Sequence, residues 1–142
     1  MDYIFDIDNT LSDDAHRKPI LASTDVNKWD TYYSMLVADT PILQSVATLQ
    51  ALYNDGHNII ICTGRPDKYR ESTIKWLDTF GIQYSALYMR YPELGTVKNA
   101  VAKAAMLVHI IKDGYNPVAV FEDNPLSANM WKDNGLIVYQ VV

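Results

Sequence analysis

The sequence predicts an α/β fold built on a five-stranded parallel sheet, and three observations carry that prediction. Short apolar runs recur at 2–7 (DYIFDI), 57–62 (HNIIIC), 84–89 (YSALYM), 117–121 (PVAVF) and 136–140 (LIVYQ). Helical patterns near 42–54, 68–80, 98–112 and 126–134 separate them. Strand–helix–strand repetition of this kind makes a parallel sheet with helices on both faces. The runs are also apolar almost throughout, as strands covered on both faces must be.

Each element has a local cause. Glycines such as Gly56 and Gly135 follow the helical patterns where a helix should stop. The 98–112 pattern carries Val101, Ala104, Ala105, Val108 and Ile111 at spacings of three and four, which reads as its buried stripe. Segment 12–41 is too long for a plain connection. An extra amphipathic helix is expected there at about 25–38, with Val26, Trp29, Tyr33 and Leu36 on one side. Trp29, Trp76 and Trp131 sit beside apolar neighbours and are assigned to core packing. His16, His57 and His109 lack metal-ligand spacing and are assigned structural roles. One domain is expected across 1–142, with a small helical, cap-like insertion at about 12–41.

Composition narrows the function classes. A length of 142 residues suits one hydrophobic core. The net charge of −5, from 17 acids against 12 Lys and Arg, argues against a long groove that tracks nucleic-acid phosphates. No apolar run approaches the roughly 18 to 20 residues of a membrane span, and MDYIFDID lacks the features of a signal peptide. The one cysteine, Cys62, cannot form an internal disulfide, so a reducing, cytoplasmic location is expected.

The chemistry begins at FDIDNT, residues 5–10. Positions i and i+2 of a strand share a face, so Asp6 and Asp8 project together from the end of an apolar run. Two unpaired carboxylates in such a place require a positive partner, and a divalent cation is the obvious one. Ligands of open parallel sheets bind beyond the carboxyl ends of the strands. The first strand delivers Asp6, Asp8 and Thr10 there, with Arg17 and Lys18 in its loop; the second delivers Thr63, Gly64, Arg65, Lys68 and Arg70. The third delivers Arg90 and a helix bearing Lys98 and Lys103, and the fourth delivers Glu122 and Asp123. Facing carboxylates suit Mg²⁺, and hydroxyls with cations suit a phosphate. Plainer readings exist: Thr63 as a helix cap, Glu122-Asp123 as a turn before Asn124-Pro125, Lys98 and Lys103 as solvated lysines.

In order and spacing, Asp6-Ile7-Asp8-Asn9-Thr10, Thr63-Gly64-Arg65, Lys103 and Glu122-Asp123 resemble the motifs of the haloacid dehalogenase-like (HAD) phosphatase superfamily. Through TGRPDKYRESTIKWL, LYMR and EDNPLSANMWKDNG the chain is similar to the 3′-phosphatase domain of phage polynucleotide kinase/phosphatase. Arg17, eleven positions after Asp6, falls where that domain has a substrate-contacting arginine. Asn9 replaces a common glycine, and Gly95 and Asn99 stand where the phage domain is acidic. No kinase domain and no Gly-rich nucleotide loop is found.

The resemblance implies a HAD-type Rossmannoid three-layer sandwich. It implies that Asp6 attacks phosphorus to give an aspartyl-phosphate, that Asp8 is general acid and base, and that Thr63 and Lys103 hold phosphate oxygens. Mg²⁺ would lie on the Asp6 carboxylate, the Asp8 backbone carbonyl and Asp123, with Glu122 assisting. Thr10, Arg17, Gly64, Arg65 and Arg90 would contact substrate. Apart from the resemblance, the parallel-sheet reading puts Arg17, Lys18, Arg65, Lys68, Arg70 and Arg90 on the same rim, where they would meet further backbone phosphates. The expected activity is Mg²⁺-dependent removal of a 3′-phosphate from a polynucleotide end, as in a phage protein. A nucleoside monophosphate phosphatase is the alternative. A non-catalytic HAD-like binding module and a receiver-type signalling domain are the rivals from other classes, although the third strand, ending in Met89-Arg90, lacks a receiver's phosphorylated aspartate.

Overall fold

The computed structural model describes residues 1–142. Its main sheet contains β1 (Asp2–Phe5), β4 (Asn58–Pro66), β5 (Ala86–Arg90), β6 (Pro117–Glu122) and β7 (Ile137–Gln140) in the order β5-β4-β1-β6-β7. All neighbours are parallel. Two-residue strands β2 (Ser12–Asp13) and β3 (Thr40–Pro41) pair antiparallel at the base of the insertion. The helices are α1 (Lys28–Ser34), α2 (Leu43–Asn54), α3 (Arg70–Thr79), α4 (Asn99–Lys112) and α5 (Pro125–Asp133).

Alternation along the strands splits the core into two layers. Ile4, Ile60 and Val120 pack with Ala102, Met106 and Ile110 of α4 and Trp131 of α5. Their neighbours Phe5 and Ile61 pack on the other side with Val46 and Leu49 of α2 and Trp76 and Leu77 of α3. Every central strand is thus apolar on both faces, and the three-layer α/β expectation is met. The chain leaves β1 toward β4 and β5, then returns past β1 to β6 and β7. The strand order therefore reverses beside β1, which is where doubly wound sheets open a crevice.

Three expectations change. First, the buried stripe of α4 is Ala102, Lys103, Met106, Leu107 and Ile110, whereas Val101, Val108 and Ile111 are more than half exposed. The helix NAVAKAAMLVHIIK is apolar on two sides, and Lys103 makes the truly buried side look polar. Second, the insertion helix is short: α1 covers Lys28–Ser34, followed by a 3₁₀ turn at Leu36–Ala38. Tyr33 and Leu36 are buried, but Val26 lies outside the helix and is open to solvent. Third, Trp29 is 51% exposed, while Trp76 and Trp131 are core residues as expected. β4 also runs on through Thr63-Gly64-Arg65 to Pro66, so Thr63 is a strand residue and caps no helix. No helix is long and apolar enough to cross a membrane.

Candidate active site

The site forms where β1 and β6 lie side by side. Phe5 pairs with Phe121, and the Asp6 amide donates to the Phe121 carbonyl at 3.0 Å. This registers Asp6 against Glu122 and Asp123, although 116 or more positions separate them in sequence. Past Asp6 the chain turns sharply: the amides of Thr10, Leu11 and Ser12 all donate to the Ile7 carbonyl. Asn9, at φ 63°, is the one non-glycine residue in the left-handed region, which asparagine tolerates.

Asp6 is 5% exposed and held at both oxygens. Lys103 Nζ donates to Oδ1 at 3.0 Å, and Thr10 Oγ1 donates to Oδ2 at 3.3 Å. Lys103 also donates to Glu122 Oε1 at 2.7 Å. The same Glu122 oxygen accepts from Trp131 Nε1 at 3.1 Å, and Oε2 accepts from the Asn124 amide at 3.3 Å. Burial alone would lower the Lys103 pKa, but Asp6 and Glu122 raise it and keep the ammonium charged. Lys98, its sequence competitor, lies exposed on the rim without an ion pair.

One buried lysine among three acids leaves an excess of negative charge. Burial and then Glu122 push Asp6 well above the usual carboxylate range. Burial likewise raises Asp123. In Glu122 burial acts upward, but Lys103 overrides it and the group is lowered. Carboxylate oxygens of Asp6, Glu122 and Asp123 lie within 4.8 Å of one another. A hard oxygen-donor set with surplus charge fits Mg²⁺.

Asp8 belongs to a different charge cluster. Its Oδ1 accepts from Arg17 Nη2 at 2.6 Å and Arg65 Nη2 at 2.8 Å. Both guanidiniums are wholly buried. Asp39 lies behind them, accepting from Arg17 Nε at 2.8 Å and Nη2 at 2.7 Å and standing 3.6 Å from Arg65. The Arg17 guanidinium also lies 4.1 Å over the Tyr32 ring of α1, and Tyr32 donates its hydroxyl to buried Asp14. Arg65 Nη1 donates to Thr73 at 3.2 Å. Burial acts to raise Asp8, but Arg65 and Arg17 outweigh it and hold the carboxyl at about 2. A depressed acid stabilises the fold above its unfolded value, here 3.8, and loses that contribution as pH falls through 2. The stability gap between wild type and Asp8→Asn should therefore narrow by about 2 kcal/mol from pH 5 toward pH 2. Urea unfolding at stepped pH measures it, and a pH-independent gap would contradict this account.

The other expected residues fall as follows. Thr63, 1% exposed, accepts the Arg65 amide at 3.2 Å and keeps its hydroxyl proton free to donate. Gly64 approaches Asn99 so closely that a Cβ would lie 2.3 Å from Asn99 Oδ1. Arg90 spends its guanidinium on the Gly64, Gly95 and Val97 carbonyls and on Asn99 Oδ1, at 2.7–3.2 Å. The expected cationic rim is accordingly thinner than the sequence implies. Arg17 and Arg65 point inward to Asp8, Lys68 pairs with Asp30, and Arg70 pairs with Asp67. Lys18 is the rim cation of the six with no partner. A sequence reading has no access to Asp39 and Tyr32, because their partners are distant in the chain and their types are ordinary.

The family profile described as "Polynucleotide kinase PNKP phosphatase domain" matches residues 1–142. The chain belongs to that family of HAD phosphatases. Among family relatives, a chain in the structure of a Pnkp1/Rnl/Hen1 complex superposes with a TM-score of 0.81 at 26% identity over 98% of this chain and 44% of that one. A protein of Autographa californica nuclear polyhedrosis virus, named as a bifunctional polynucleotide kinase/RNA ligase, is 33% identical over 76 residues. Those residues are 53% of this chain and 11% of the viral protein, so the match spans a small part of that relative. The class C acid phosphatase of Bacillus anthracis shares the HAD fold, with a TM-score of 0.70 at 15% identity over 98% of this chain and 65% of that one.

Proposed function

We propose that this HAD phosphatase domain removes a 3′-phosphate from polynucleotide ends through an aspartyl-phosphate on Asp6, with Mg²⁺ bound. The observation that carries the reading is Asp6 itself: a buried carboxylate oriented by Lys103 and Thr10 and flanked by Glu122 and Asp123, in a chain of the PNKP type. Asp6 and Asp123 would hold the metal, with the Asp8 backbone carbonyl beside them and Glu122 anchoring Lys103. Bound Mg²⁺ would supply positive charge that screens the anionic nucleophile from the anionic phosphate.

The chain's own groups divide the remaining work. An Asp6 carboxylate oxygen attacks phosphorus, and the bond to the ester oxygen breaks. Thr63 and Lys103 donate to the equatorial oxygens, where charge accumulates. Asp8 gives its proton to the leaving oxygen and regains one from the water that hydrolyses the acyl phosphate. Arg17 and Arg65 fix the direction of the Asp8 carboxylate and favour its ionised form, which suits the second step. An arriving phosphate adds negative charge and raises the proton affinity of Asp8 for the first.

Phosphate release from 3′-phosphorylated oligonucleotides, 5′-phosphorylated ones and nucleoside monophosphates tests the reading. The 3′-phosphorylated end should have the highest kcat/KM, and turnover should vanish in excess EDTA and return with Mg²⁺. Turnover that persists in EDTA removes the metal from the account. A mononucleotide that matches the oligonucleotide at low salt makes the domain a nucleotidase instead.

A further inference from the structure

We propose that the cleft between α1 and the loop after β5 is a nucleobase subsite in which the terminal base of the substrate stacks on Trp29. This rests on the end-processing reading, because it names the part of the substrate held next to the reacting phosphate. The cavity measures about 460 Å³, within the range of small-molecule sites. Its walls come from the insertion, the ends of β4 and β5 and the start of α5, the rim on which Asp6 and Asp123 lie. Asn124, next to Asp123, joins the cleft to the acid cluster.

The lining has the character of a base slot. Trp29 is half exposed, although large aromatics are usually covered. Its indole lies near-parallel to the Tyr33 ring, with centroids 6.0 Å apart and planes 26° apart, and Tyr32 meets it edge-on at 5.9 Å. Tyr33 leans in turn on Tyr69 at 5.3 Å. The indole is thus backed by tyrosines, with the rest of its surface open to a flat partner. Val97 and Leu126, 40% and 61% exposed, add aliphatic surface to the same cleft. Lys98, unpaired at its edge, suits the next backbone phosphate. A planar π-face with adjoining aliphatic surface and one cation matches a stacked nucleotide, and such stacking tolerates any base.

The test uses the full chain carrying Asp6→Asn, so that ligands bind without turnover. A nucleoside 3′-monophosphate and ribose 3-phosphate are titrated separately, with calorimetry reading affinity and tryptophan emission reading contact with the indole. The base-bearing ligand should bind roughly tenfold tighter or more, as expected for one stacked base, and should quench emission. Adding Trp29→Ala should abolish both the preference and the quenching, and Trp29→Phe should restore part of the preference. In the active protein, a 3′-phosphorylated oligonucleotide with a terminal base should outpace one with an abasic terminal sugar by a similar factor. Equal affinities for the two small ligands, which need no cleft variant to compare, overturn the subsite. So does a preference that survives Trp29→Ala. Failure to dephosphorylate any oligonucleotide overturns the end-processing reading alone, since the titration still reports on the base.

Discussion

Asp6→Asn is expected to lower turnover by at least about 10³-fold while the protein stays folded. Asparagine preserves the shape and an acceptor oxygen for Lys103, but it cannot form the acyl phosphate. Losses of this size follow removal of a catalytic nucleophile. Stability should move the other way when no metal is present. Burial and Glu122 push Asp6 up, so the fold favours its protonated form. For a raised acid the contribution is present at low pH and is lost as pH rises through the folded value, so at neutral pH an ionised Asp6 costs stability. The amide removes that cost, and Lys103 retains Glu122 as its counterion. Thermal unfolding in EDTA should give an equal or higher midpoint for the variant, and added Mg²⁺ should favour wild type. Near wild-type hydrolysis by Asp6→Asn would rule out the aspartyl-phosphate.

Asp39→Ala is expected to cost about 3–5 kcal/mol, the range for breaking a buried ion pair. Asp39 is 2% exposed and neutralises Arg17 through two hydrogen bonds while lying 3.6 Å from Arg65. Without it two buried guanidiniums share one carboxylate, Asp8, and repel each other. Asp39→Asn keeps one acceptor oxygen and should cost less. The Trp76 indole donates to the Asp39 backbone carbonyl, which neither substitution removes. Denaturant midpoints at unchanged m-value measure the loss. Turnover should fall as well, because the arginines that orient Asp8 lose their rear anchor. A loss below about 1 kcal/mol would show that the buried Arg17–Asp39 pair contributes no more than an exposed one.

The sheet was legible because its signal is local. Ile4, Ile60 and Val120 lie in apolar runs whose flanking helices and glycines mark their ends, and such patterns survive without knowledge of partners. The surface of α4 was not legible for the complementary reason. Its two apolar stripes are equivalent in sequence, and the choice between them turns on Lys103, whose charge is neutralised by Asp6, just past β1, and Glu122 of β6. Trp29 misled similarly: an indole at helical spacing beside apolar neighbours reads as core, but α1 packs against other parts of the insertion and leaves the indole half exposed.

The sequence by itself determined the parallel α/β architecture and the family, since strand period, helix period and ordered motifs are properties of contiguous residues. It also placed Asp6, Asp8, Thr63, Lys103, Glu122 and Asp123 on one rim, because strand ends in a parallel sheet share a side. Only the tertiary structure decided how those charges divide. Asp6, Lys103, Glu122 and Asp123 form one cluster, and Asp8, Arg17, Arg65 and Asp39 form another. Pairing between charges falls off steeply with distance and strengthens with burial. Which arginine faces solvent and which is consumed inside is therefore fixed by packing between segments far apart in the chain, and no spacing along it encodes that.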